Sequence, residues 1–146
     1  MSRAERFEFL DEMTSDLCFV ARGDTLAGVF SAAAAALLAA SVEAPEQVRE
    51  EEVRRLELAE PDPELLLMRF LNELVYLRDA QGLLLRARWL EVELGEDGAR
   101  LEAELVGERL DPARHRLAAD VKAATAHGLR IAREDGEYHA RVTLDV

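Results

Sequence analysis

One cysteine, Cys18, in a chain of 146 residues rules out an internal disulfide and any paired-cysteine zinc spacing. There is no Gly-x-Ser-x-Gly elbow, no cysteine set in a histidine-and-acid pattern and no glycine-rich phosphate loop. The common nucleophilic and phosphate-cradling chemistries therefore lose their usual sequence support, and no catalytic residue is assigned. No apolar run approaches the length that crosses a bilayer, and no segment reads as a signal peptide. The expected compartment is the cytoplasm, with no membrane partner. Internal repeats, low-complexity tracts and linkers are missing too, so residues 1–146 read as a single domain, long enough to bury about two-thirds of its unfolded surface.

Basic residues are also in short supply. Eighteen Lys and Arg face 30 Asp and Glu, a formal net charge of -12. That excess opposes a phosphate backbone, so direct, tight nucleic-acid binding is not expected. It suits solubility, or docking to a basic protein. Arg109, Arg114 and Arg116 form a short basic strip, but arginines in a polar loop are ordinarily solvated.

What is present is an alternation of strand and helix signals. Residues 6–10 and 17–22 read as two strands flanking the loop that carries Asp16, with Leu17, Phe19 and Ala21 on one face. Asp24 or Thr25 can cap a helix running to about Ala40, whose small apolar stretch 31–38 calls for close packing against a sheet. After Pro45, residues 47–60 suggest a strand with one charged face. Asp62 and Pro63 open a second helix to about Arg78, with Leu66, Phe70, Leu74 and Leu77 at core spacing. Beyond Gly82, Leu83, Leu85, Ala87 and Trp89 alternate with arginines, and Gly95 to Gly98 make a turn into Leu101, Ala103 and Leu105. Residues 120–134 and 137–146 form a final hairpin about Asp135-Gly136. Strands outnumber helices, and the fold class is α+β: a largely antiparallel sheet packed by two long helices.

Two carboxylates stand out. Asp16 lies in a loop between strands, and Asp145 interrupts the apolar ending Val142-Thr143-Leu144-Asp145-Val146. If a shared sheet edge brings them together they repel, unless a cation neutralises them. The α-carboxylate of Val146 adds a third source of oxygen. Oxygen-only ligation suits a hard divalent ion, calcium or magnesium, far better than zinc; calcium is the expected cofactor, with magnesium or manganese as alternatives. The plain alternative is an Asx turn at Asp16 and a solvated end at Asp145. Lys122 is read on one face of a strand with Ala124 and Ala126, with Thr125 and His127 on the other. Lys122 could relieve the carboxylate repulsion or meet an acidic group of a partner; His127 could support the site, and Glu12 could add an oxygen. His115 and His139 carry less signal, and Cys18 reads as a small buried side chain.

Taken in order, Thr14-Ser15-Asp16, Gly23-Asp24-Thr25-Leu26, Asn72-Glu73-Leu74-Val75-Tyr76-Leu77, the run from Val106 to His115, the run from Val121 to Leu129 and the ending Leu144-Asp145-Val146 resemble the archease family over residues 7–146. The resemblance implies a metal site at Asp16, Asp145 and Val146. It also implies an accessory protein and not an enzyme, one that promotes guanylylation and repeated turnover of an RtcB-type GTP-dependent RNA ligase in tRNA splicing or RNA repair. Met13 departs from the pattern, where the family usually has histidine. Two other functions fit the residues: a metal-dependent hydrolase built on Asp16 and Asp145, and a chaperone-like module for RNA-processing proteins.

Overall fold

A computed structural model describes residues 5–10 and 16–146. Along the chain run β1 (Arg6–Leu10), β2 (Leu17–Gly23), α1 (Leu26–Ser41), a 3-10 turn at Pro45–Gln47, β3 (Glu52–Glu60), α2 (Pro63–Gln81), β4 (Leu83–Gly95), β5 (Gly98–Arg109), β6 (Ala123–Glu134) and β7 (Glu137–Asp145). All strand pairings are antiparallel. They divide between two sheets, β1-β2-β7-β6 and β3-β5-β4, where the sequence suggested one.

Both helices begin as their sequences direct. Thr25 accepts a hydrogen bond from the Gly28 amide at 3.0 Å, and Asp62 one from Leu65 at 2.8 Å, each satisfying a donor the first helical turn leaves unpaired. α2 stops at Gly82, whose left-handed backbone (φ 69°) suits a residue without a side chain. The alanine-rich α1 is buried nearly all round because it meets strands of both sheets, and so does α2. Phe30 and Phe70 stack between the helices with ring centres 6.1 Å apart, and Leu66, Leu74 and Leu77 join them in the core. At Gly107 the neighbouring strand passes so close that a Cβ would fall 1.7 Å from the carbonyl oxygen of Leu84, which excludes any side chain there.

Two irregularities overturn the expected strand faces. In β4 the register shifts between Ala87 and Trp89, leaving Arg88 as an extra residue. The bulge turns Trp89 outward, 46% exposed, and puts Leu90 and Val92 against the core in its place. In β6 the register shifts between Thr125 and Arg130, so four residues there span a single position of β7. Lys122 precedes the strand and is exposed while Ala124 is buried. Ala126 and His127 are both exposed within the bulge, so the expected sharing of faces fails at both ends.

The outer face of the smaller sheet carries an unusual row: Glu57 of β3, Glu102 of β5 and Glu91 of β4 stand directly opposite one another. Like charges so placed destabilise a sheet.

Candidate functional site

The pairing of β2 with β7 ends at Leu17 opposite Leu144. Leu144 is fully buried and Leu17 packs on the core, so both face inward. Successive residues of a strand alternate faces, which turns Asp145 outward, where it is exposed. Asp16, half-buried, immediately precedes β2 at this same end of the sheet. Val146 turns back and packs against the core. The tertiary fold thus brings Asp16 and the 145–146 segment, far apart in sequence, to one end of one sheet.

The third strand at this end is held from two sides. The Lys122 amide donates to the Asp145 carbonyl at 2.8 Å, placing the main chain of Lys122 beside that of Asp145. From α2, Asn72 closes the outer edge of β6: its Nδ2 donates to the Ala124 carbonyl at 3.1 Å and its Oδ1 accepts the Ala124 amide at 2.8 Å. One turn and a half further on, Arg78 donates to the Val121 carbonyl. An edge strand's unpaired main-chain groups are thereby satisfied by two side chains of a neighbouring helix. Lys122 is also the chain's one lysine, every other basic side chain being arginine. That signal was legible in the sequence.

As a donor set, Asp16 and Asp145 offer carboxylate oxygen of the kind a hard divalent cation takes. Among the described residues no group of three or more His, Cys, Asp and Glu is gathered for a metal. Glu12 and Met13 lie outside the described residues. His127 is exposed in the β6 bulge, where its amide donates to Thr125 Oγ1 at 3.3 Å. Cys18 is buried and accepts from Thr143 Oγ1 at 3.8 Å.

A second polar cluster escaped the sequence reading. Glu108, buried at the end of β5, receives on Oε1 the Arg49 amide at 3.1 Å, His115 Nε2 at 2.7 Å and the Arg114 guanidinium. Burial acts to raise its pKa, but those hydrogen bonds and the Arg114 charge outweigh it and hold the carboxyl down at about 2. The basic strip is likewise spoken for: Arg109 donates to the Gln81 carbonyl at 2.8 Å and Arg116 lies 3.7 Å from Glu43.

Comparison with known proteins decides the family. Residues 7–146 match the model described as the Archease protein family (MTH1598/TM1083). The chain belongs to the archease family. It is 36% identical to the protein archease of Pyrococcus abyssi over 147 residues, covering 100% of both chains. To that of Methanothermobacter thermautotrophicus it is 34% identical, covering 96% of this chain and 98% of the other. The solution structure of Methanobacterium thermoautotrophicum protein 1598 superposes with a TM-score of 0.83 at 34% identity, over 96% of this chain and 98% of that one. The crystal structure of a Thermotoga maritima archease, called a possible chaperone, shares the fold with a TM-score of 0.62 at 16% identity, over 94% and 95% of the two chains.

Proposed function

We propose that this archease family member is an accessory protein that activates an RtcB-type GTP-dependent RNA ligase, promoting guanylylation of the ligase and its return to further rounds of RNA joining in tRNA splicing or repair. The observation that supports the reading is the placement of Asp16, just before β2, and exposed Asp145, at the end of β7, at one end of the four-stranded sheet. Side chains at a sheet end can enter a partner's cleft, as a pair buried in this chain's own core could not.

A divalent ion, calcium before magnesium or manganese, would be held by Asp16, Asp145 and the Val146 carboxylate, and would supply positive charge to phosphate oxygens at the ligase's nucleotide site. The chain's own residues do the positioning. Leu17, Leu144 and Val146, anchored in the core, fix where the carboxylates emerge. Asn72 and Arg78 hold the 121–124 segment so that Lys122 stands at the same end. Lys122 would then meet an acidic group or a phosphate of the partner. No nucleophile or general base is arranged beside these groups among the described residues, which favours an activator over a hydrolase. Among the described residues, the exposed large apolar side chains Phe9, Val53, Tyr76, Trp89, Leu94 and Leu117 are spread over several elements.

The test is RNA ligation by the cognate ligase with GTP and manganese, with and without the chain. Asp16→Asn and Asp145→Asn should each lose activation with an unchanged unfolding midpoint, and acetylation of Lys122, the one side-chain amine, should weaken it. Full activation by both carboxamide variants would overturn the reading. Metal-dependent RNA cleavage by the chain alone, lost in Asp16→Asn, would favour the hydrolase.

A further inference from the structure

The outer face of the three-stranded sheet is turned to solvent, and its rows follow from the register. Leu56 and Leu58 of β3, Leu101, Ala103 and Leu105 of β5, and Leu90 and Val92 of β4 all point into the core. Their neighbours along each strand therefore face outward. One row runs Arg55, Glu104 and Trp89, the next Glu57, Glu102 and Glu91, and the last Ala59, Arg100 and Glu93. Trp89 is 46% exposed, diagonal to Glu102 across the ladder and two residues from Glu91 along β4. An open groove of about 350 Å³ lies here, lined by Arg55, Leu56, Glu57, Trp89, Glu102 and Ala103.

The charges on this face separate into paired and unpaired groups. Arg88, the extra residue of the bulge, reaches Glu50 at 3.3 Å and Glu104 at 3.4 Å, and Arg55 reaches Glu104 at 3.2 Å. Arg86 is held by Glu50 at 2.6 Å. The arginines at the Trp89 end are thus engaged with Glu50 and Glu104. Among the described residues, Glu57, Glu91, Glu93 and Glu102 form no ion pair, and neither does Arg100, the one cation in the rows beside them. Four carboxylates stand there against one guanidinium. Like charges directly opposite one another lower stability, and the bulge exposes an aromatic ring that regular alternation would turn inward. Both features cost the isolated chain.

We propose that this face docks a basic segment of a partner protein, with an arginine of that segment laid on the Trp89 ring and further cations against the glutamate row. A guanidinium is attracted to the face of an indole ring and can pair with a carboxylate beside it in the same pose. An extended segment presents alternate side chains to one side, so cations at every second position meet both the ring and the carboxylates. Tryptophan is also the residue type most enriched among the anchors of protein interfaces. Incoming cations relieve the repulsion along the row, and the stability given up in the free chain returns on binding. The face belongs to the three-stranded sheet, whereas Asp16 and Asp145 lie at the end of the four-stranded one. The contact is therefore distinct from the candidate site and does not rest on ligase activation.

Trp89 is the chain's one tryptophan, so its fluorescence reports on this face alone. The test titrates the isolated chain with a synthetic peptide alternating arginine and serine. Trp89 emission should change and saturate, with an affinity that falls as salt is added. A peptide alternating lysine and serine should bind more weakly by about threefold or more. Glu102→Lys should weaken binding about tenfold or more while raising thermal stability, which separates the loss from unfolding. Glu46→Lys makes the same charge change at an exposed position outside the sheets and should stay within about twofold of the original chain. In Trp89→Leu, followed by anisotropy of a labelled peptide, the preference for arginine over lysine should disappear. Equal losses in the two lysine variants, or peptide binding that leaves Trp89 emission unchanged, would overturn the proposal. Concentration-dependent dimers of the chain alone, abolished in Trp89→Leu, would overturn it in favour of a second copy of this chain.

Discussion

His115 donates Nε2–H to Glu108 at 2.7 Å while its Nδ1 accepts the main-chain hydrogen of Asp111 at 2.8 Å, so both ring nitrogens are committed inside a buried cluster. Glu108 and His115 stand at the two ends of the turn that follows β5. Through the Arg49 amide, the cluster also fastens the chain just before β3. Three segments share one carboxylate oxygen.

The cluster makes stability depend on acid. Glu108 has an ordinary value of 4.5 and a folded value of about 2, so its contribution is complete above about pH 4.5 and is lost as pH falls through about 2. Urea unfolding followed between about pH 6 and pH 2 should show a falling midpoint that flattens in Glu108→Gln. At neutral pH that variant should be less stable by about 1–3 kcal/mol, since the Arg49 and His115 donors lose a charged acceptor. An unaltered pH profile would show that the cluster does not govern acid stability.

Relief of the glutamate row should stabilise the protein. Glu102 stands between Glu57 and Glu91, and Glu102→Lys converts two like pairs into two opposite ones. Thermal unfolding should rise by the equivalent of about 0.5–1.5 kcal/mol, most at low salt, and the gain should shrink as salt is added. A fall in midpoint would mean that the row is not under electrostatic strain.

Loss of Asn72 should loosen the candidate site more than the fold. Asn72→Ala strips the Ala124 amide and carbonyl of both edge partners, at a cost of about 1–3 kcal/mol. Hydrogen exchange should speed up at residues 122–125 first, and ligase activation should fall even where the chain remains folded. Asn72→Asp keeps the acceptor for the Ala124 amide and should recover part of the protection at Ala124. Exchange unchanged at this segment would remove Asn72 from the support of the site.

The sequence by itself determined the two helices, because Thr25, Asp62 and Gly82 act on their own neighbours within a turn and the spacing of Leu66, Phe70, Leu74 and Leu77 fixes a buried face. It likewise singled out Asp16 and Asp145 as candidates, and the fold brings them to one end of one sheet. Tertiary structure decided the rest. The bulges that turn Trp89 outward and move Arg130 opposite Arg141 depend on which neighbouring strand sets the register, and a stretch of alternating residues read alone cannot count the extra ones. The division of the seven described strands between two sheets goes with helices that each pack against both sheets, a relation between elements and not within any of them. Glu108 is the clearest case: its partner Arg49 is 59 residues away, and a glutamate beside an arginine in a strand reads as solvated until the fold closes over it. Burial then makes the unpaired charge prohibitive, and the positions of Arg114, His115 and the Arg49 amide are what satisfy it.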